Sequence, residues 1–268
     1  MHRAWPAGCQ SIAPRAERPA LSAVPASGHF IPPAPTFARG FTLTEMAVVL
    51  VIVALLIGGM LLPMSAQDDM RRTNETRATL ANVQEALLGF AVVNGRLPRP
   101  AVSASDGAEK PAPCADDAAC TGFIPWATLG IERGDAWGKL LRYSVTPAYA
   151  NSNITLATIA NRAVQTRDNA GGVVFLAGQA ACTTPGACVA AVVFSHGKQR
   201  WGTTESGTVL ADGAATNVDE DANEAGSTNY FQRTPSTSTA GGGEFDDIVV
   251  WLPANILINR MISAGRPL

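Results

Sequence analysis

The chain has 268 residues, a length that predicts one domain or two small ones. It carries 20 Lys and Arg against 22 Asp and Glu, so its net charge is −2 and no broadly basic surface for nucleic acid is expected. Apolar residues make up 47% of the chain, which excludes a collagen-like or wholly disordered protein. Charged residues make up 16%, below the roughly 25% of a typical soluble domain.

The first 40 residues are rich in Pro and Ala and carry several arginines but a single glutamate. This positive charge stands before the apolar run that follows, which predicts a cytoplasmic N-terminus and an external C-terminal part. A secretory signal peptide would carry its small-residue cleavage site after the apolar run. In this chain the small residue Gly40, preceded by Arg39, stands directly before Phe41 and therefore ahead of the apolar run.

From Met46 to Leu62 the chain contains no polar side chain. As a helix this run is about 26 Å long at roughly 1.5 Å per residue, and its flanks extend it to the thickness of a membrane. A buried core helix is the alternative, but a helix at a protein surface would alternate apolar and polar residues with a period near 3.6. We therefore expect a membrane-spanning segment.

Glu45 lies at the edge of this run, with no cation inside the run itself. An ionised carboxylate in an apolar environment costs several kcal/mol unless it is paired. Glu45 either sits among lipid headgroups or requires a positive partner. A free α-amino group, created by a cut after Gly40 and offered by a neighbouring copy of the chain, would be such a partner.

The stretch Arg39-Gly40-Phe41-Thr42-Leu43-Thr44-Glu45, followed by the apolar run, resembles the cleavage signal of type IV pilins and type II secretion pseudopilins. The resemblance implies that prepilin peptidase cleaves between Gly40 and Phe41 and methylates the new N-terminus of Phe41. It also implies that Glu45 pairs with a neighbour's amine during assembly. The implied partners are prepilin peptidase, an inner-membrane assembly platform, and other copies and related pilin-like subunits in a helical filament.

The fold that this resemblance implies is α+β and type IV pilin-like. A long N-terminal α-helix, with a membrane-spanning first half, would pack on a small antiparallel β-sheet domain. The expected location is the inner membrane, single-pass, with a periplasmic domain, and then a periplasmic or extracellular filament. The expected segments are a leader at 1–40, a transmembrane and filament-core helix at 41–64, its periplasmic continuation at 65–98, and a β-rich domain with a C-terminal strand and helix at 99–268.

The second part of the predicted helix has one apolar stripe, and Asn94-Gly95 ends it. The stripe consists of residues three and four apart: Leu80, Val83, Leu87, Leu88 and Ala91. Beyond residue 100, short runs rich in β-branched and aromatic residues predict strands at Leu140–Val145, Ile154–Ile159, Val173–Ala177, Val189–Ser195 and Ile248–Leu252.

Within this region Asp135 to Tyr143 resembles the Asp-Pro-Trp-Gly…Tyr stretch of major pseudopilins, with Ala136 where that family often has Pro. A turn that leads into a strand explains the same residues without the resemblance. Ser195 and His196 could suggest a nucleophile and its base. Adjacent residues on a strand point to opposite faces, however, and no enzymatic activity is expected.

Four cysteines follow the predicted cut, spaced as two C-x5-C pairs, and four cysteines allow three disulfide pairings. Pro185-Gly186 suits a type II turn that brings Cys182 and Cys188 together. We expect that bridge, and a second one between Cys114 and Cys120. A zinc site is the alternative, although structural zinc ligands usually stand two to four residues apart. Disulfides would place the domain in an oxidising compartment.

Oxygen-bearing side chains alternate at Asp219, Asp221 and Asn223, as at the start of a calcium-binding loop. The pattern fails as an EF-hand, because Glu224 occupies the position of the turn glycine. Some major pseudopilins bind calcium in a C-terminal loop, so the resemblance implies a possible calcium ion here. A solvated acidic loop is the alternative, and no other cofactor is expected.

These observations together predict a structural subunit of a bacterial cell-envelope filament, most simply a type II secretion pseudopilin. A major or minor (tip or adhesin) pilin of a type IV pilus is the alternative.

Overall fold

The structure is a computed structural model that describes residues 40–199, 201–213 and 216–268, with the backbone alone for residues 59–64. The predicted leader therefore lies almost entirely outside the described residues. The chain divides into two compact units, Met1–Val53 and Ala54–Leu268.

The described chain begins with the long helix, and short strands and short helices follow it. In chain order the elements are α1 (Leu43–Asn94), β1 (Thr121–Phe123), α2 (Trp126–Leu129), β2 (Arg142–Val145), α3 (Pro147–Asn151), β3 (Ala163–Arg167), β4 (Val173–Ala177), β5 (Val189–Ser195), β6 (Gly202–Thr203), β7 (Val209–Leu210), α4 (Val218–Glu224), β8 (Asn229–Phe231), β9 (Ile248–Pro253) and α5 (Ala254–Ser263).

The second part of α1 belongs to the core of the larger unit, as its apolar stripe predicted. Leu80, Leu87 and Ala91 are completely buried, and Val83 and Leu88 are nearly so. The helix ends where expected, because Gly95 adopts a positive φ of 75° and its N–H donates to the carbonyl of Ala91.

The expected membrane-spanning first half of this helix is wrong for the described residues. Within 40–199, 201–213 and 216–268, no helix is long and apolar enough to cross a membrane. Of the predicted span 41–64, the structure describes the side chains from Phe41 to Gly58. The rest of the predicted span, residues 59–64, has side chains outside the described set.

The principal sheet has four antiparallel strands in the order β1-β2-β5-β9. Its interior strand β5 is buried at every residue, which explains the unbroken apolar run Val189–Phe194. One face of the sheet shares a single core with the α1 stripe and with Leu257 and Met261 of α5. The C-terminal strand and helix are therefore integral parts of the domain.

A single antiparallel sheet was expected, but the described residues form further sheets, one of them mixed. A three-stranded sheet has the order β4-β3-β8, in which β3 runs parallel to β8. β6 and β7 form a two-stranded ladder. The α+β class itself is retained.

Both expected disulfides are present, between Cys114 and Cys120 and between Cys182 and Cys188. Each closes a short loop, the first ahead of β1 and the second between β4 and β5. Because these four cysteines are bonded in pairs, they do not form the alternative zinc site.

Candidate functional site

The N-terminal unit presents an apolar helical surface on all sides. Along Val48–Val53 every side chain is between 42% and 68% exposed, and Phe41 is 82% exposed. Successive residues of a helix point about 100° apart, so exposure at consecutive positions means exposure around the whole helix. Apolar surface of this kind marks a site of association.

Glu45 caps the first turn of α1, three residues after Thr42. Its carboxylate accepts a hydrogen bond from the Thr42 N–H at 2.8 Å and another from the Thr42 hydroxyl at 2.9 Å. The Glu45 N–H donates in return to the Thr42 hydroxyl at 3.2 Å. This is a capping box, and among the described residues no cation forms a salt bridge with Glu45.

The turn that begins at Asp135 is fixed by the Asp135 carboxylate. Its Oδ1 accepts the N–H groups of Trp137 and Lys139, both at 2.9 Å, and its Oδ2 accepts the Ser195 hydroxyl at 2.5 Å. Gly138 has a φ of 75°, a left-handed conformation that favours glycine. Burial raises the pKa of Asp135, while the hydrogen bond from Ser195 lowers it.

Ala136, where the resembled family often has Pro, joins this turn to α1. Its N–H donates to the buried Thr76 hydroxyl at 3.2 Å, and its carbonyl accepts the Arg72 guanidinium at 3.1 Å. Proline has no N–H and could not make the first bond. The departure from the family pattern therefore supplies a contact that holds α1 to the domain.

We expect Thr76→Val to destabilise the larger unit by about 1 kcal/mol, because the Ala136 N–H loses its acceptor while the side-chain volume is unchanged. Denaturant unfolding followed by circular dichroism measures the change. Thr79→Val alters the same atoms at a less buried position of the same helix and is expected to cost less than about 0.5 kcal/mol. Equal losses from the two variants would contradict this role of Thr76.

Ser195 and His196 point to opposite faces of the sheet and bind different groups. The Ser195 hydroxyl binds Asp135, whereas the buried His196 ring lies between Asp247 and Glu224. The two ring nitrogens are 3.3 Å from Asp247 Oδ1 and 3.2 Å from Glu224 Oε2. Burial lowers the pKa of His196, but the two carboxylates outweigh it and raise that pKa to about 9.

Three acidic groups meet beside this histidine, and no spacing in the sequence indicates that Glu220 lies next to Asp246 and Asp247. One carboxylate oxygen each from Glu220, Asp246 and Asp247 lies within 4.8 Å of the others, a spacing that could hold a metal ion. Burial and the charge of Asp247 raise the pKa of Glu220 to about 8. The nearby Lys139, which donates to the carbonyls of His196 and Gln199, contributes positive charge.

The residues predicted to bind calcium lie on α4 and have different partners. Asp219 is completely buried and forms salt bridges with Arg167 at 2.7 Å and Arg233 at 2.9 Å. The buried Asn223 amide binds Asp247 and the backbone of Phe231. Asp221 is exposed. These three side chains do not converge on one point, and calcium binding by them stays a prediction.

Comparison with known proteins adds no relative: no family model, no curated protein and no solved structure matches this chain.

Proposed function

We propose that this chain is a structural subunit of a bacterial cell-envelope filament, most simply a type II secretion pseudopilin. The observation that carries the proposal is the start of α1, where a Gly40-Phe41 junction and Glu45 precede helical residues Met46–Ile57, which are apolar and exposed on every side. Such a helix requires apolar neighbours. Identical helices of other copies provide them in a filament.

Assembly in this proposal begins with cleavage between Gly40 and Phe41 and N-methylation of Phe41. The new ammonium group then approaches Glu45 of the adjacent copy. In an apolar bundle an unpaired carboxylate is costly, so the ion pair fixes the axial position of each subunit. The capping box already orients the Glu45 carboxylate at the first turn of the helix.

Two further features support an exported filament subunit. The two disulfides suit an oxidising compartment outside the cytoplasm. The Asp135 turn, which resembles that of major pseudopilins, connects the sheet to α1 through Thr76. The disulfides suit a type IV pilus subunit equally well. The number of copies in isolated filaments distinguishes an abundant shaft subunit from a rare tip subunit.

Replacing Glu45 tests the proposal. We expect Glu45→Gln to be cleaved normally but to lower filament yield at least tenfold. The glutamine amide oxygen can still accept the capping hydrogen bonds from Thr42, but the side chain carries no charge. Glu45→Val is expected to fail in the same way. Filaments are recovered by shearing or overproduction and counted by electron microscopy, and cleavage is followed by mass.

Thr42→Ala is the matched control, because it removes the hydroxyl of the capping box and leaves the Glu45 charge in place. We expect this variant to assemble. Filament yield from Glu45→Gln equal to that of the unaltered chain would refute the ion pair, and failure of Thr42→Ala alone would assign the role of Glu45 to capping.

A further inference from the structure

Strand β4 is apolar and exposed on both faces. Val173, Val174, Phe175 and Leu176 are each between 40% and 49% exposed. Consecutive residues of a strand point to opposite faces, so both faces of β4 are almost half exposed. β4 also lies at one edge of its sheet, in the order β4-β3-β8.

No described residue bonds the backbone groups on the outer edge of β4. The carbonyl of Gln165 in β3 accepts the N–H of Gln232 on the β8 side, at 2.8 Å, so the backbone of Gln165 faces away from β4. Phe175 lies opposite Gln165 in the antiparallel pair, and opposite residues share this alternation. The N–H and C=O of Phe175 therefore point outward from β3, as do those of Val173 two residues earlier.

The long edges elsewhere in the described sheets are closed by other groups. Asn223 binds both the N–H and the C=O of Phe231 in β8. Gln84 donates to the Trp251 carbonyl in β9, and the N–H of Ala101 donates to the Phe123 carbonyl in β1. Among the described long strands, β4 is thus the edge without such a contact, and a second copy of this chain offers the same edge.

We propose that β4 pairs antiparallel with β4 of a second copy, about a two-fold axis that passes beside Val174. In this register Val173 lies opposite the second copy's Phe175, and Phe175 opposite its Val173, so each outward-facing residue meets another one. The strand carries no charged residue, so no like charges oppose each other. A register centred on Phe175 is poorer, because an irregularity in the β3–β4 pairing disturbs the alternation beyond that residue.

The pairing is weak for isolated subunits and goes beyond the proposed function. Each copy contributes about five residues, against roughly 20–30 a side in a standard interface. A two-fold contact also closes on itself, so it cannot extend a polar filament. It would instead join subunits of two filaments side by side, where many weak contacts act together.

Cysteine cross-linking tests both the partner and the register. In the proposed register Val174 faces its own copy in a non-hydrogen-bonded pair with a Cα separation of about 4.5 Å, which a disulfide can span. Val174→Cys is prepared in the full chain with Cys9→Ser, so that the new thiol is the unpaired one, and is oxidised at high protein concentration in detergent. We expect a covalent dimer on non-reducing gels.

Leu176→Cys is the matched control, because it is equally exposed but would face residue 172 of the second copy rather than itself. We expect at least tenfold less dimer from this variant. Equal dimer from both variants would overturn the register, and absence of dimer from Val174→Cys would overturn the pairing. A cross-link between Val174→Cys of one chain and Val209→Cys of another would show that β4 contacts β7 of the second copy. That result would also overturn the β4–β4 pairing. Circular dichroism verifies that each variant is folded, and neither substitution touches Glu45 or the cleavage site.

Discussion

Arg162→Ala is expected to lower the free energy of unfolding of the larger unit by about 3–5 kcal/mol. Arg162 is completely buried just before β3. Its guanidinium donates to the Ser144 hydroxyl at 2.8 Å, to the Asp117 carboxylate at 2.6 Å and to the Val145 carbonyl at 2.8 Å. Its backbone also pairs with Val189 at the start of β5.

Removal of this side chain leaves the buried Val145 carbonyl without its guanidinium donor and creates a large cavity. Asp117 is partly exposed and can recover some hydration, and the Ser144 hydroxyl keeps the Thr121 hydroxyl as a partner, so the loss comes chiefly from Val145 and the cavity. Urea unfolding measures the change. Arg133→Ala, which breaks an exposed salt bridge with Glu205, is expected to cost less than about 1 kcal/mol. A loss below about 1 kcal/mol for Arg162→Ala would contradict the central role of this residue.

Raising the pH from 6 to 10 is expected to remove about 3 kcal/mol of stability through His196. Its pKa is about 9 in the folded chain against 6.5 for a free histidine, so protonation stabilises the folded state. The contribution is complete below pH 6.5 and is lost as the pH rises through 9. Glu220 acts in the same direction between pH 4.5 and about 8, because its raised pKa also favours the protonated form in the folded state.

Urea unfolding at a series of pH values measures this dependence. Asp247→Asn should flatten it between pH 7 and 10, because the variant removes the larger of the two carboxylate interactions with His196. Glu132→Gln changes an exposed carboxylate and is expected to leave the profile unaltered. An unchanged slope in Asp247→Asn would show that another group is responsible. Lys139, whose pKa burial lowers, opposes the trend at the alkaline end.

Elements with a strong local pattern could be predicted from the sequence. The α1 stripe, β4 and β5 lie where expected, since a helix face imposes a period near 3.6 and runs of β-branched and aromatic residues favour strands. The prediction of a strand at 154–159 is wrong. There the Thr155 N–H and hydroxyl bind the Thr158 hydroxyl, and this local turn competes with extended structure.

Features that depend on distant partners could not be predicted. β3 is largely polar, and Arg167 at its end is held by Asp219, 52 positions further along the chain. β8 pairs with β3 in parallel, a contact that no local pattern indicates. The prediction of a calcium loop near residue 219 likewise took no account of distant partners. The spacing of the acidic residues is visible in the sequence, whereas the arginines that neutralise Asp219 are not.

The large sequence separation between α1 and the elements β9 and α5 governs when the domain can fold. Gln84 of α1 binds the Trp251 carbonyl across 167 positions, and Arg266 binds the Val92 carbonyl across 174. Contacts so distant in sequence form late, because a long loop has to close first. During synthesis α1 is therefore made well before β9 and α5, and its apolar stripe is incompletely covered until they emerge. A helper that shields this stripe in the meantime would protect the chain from premature aggregation.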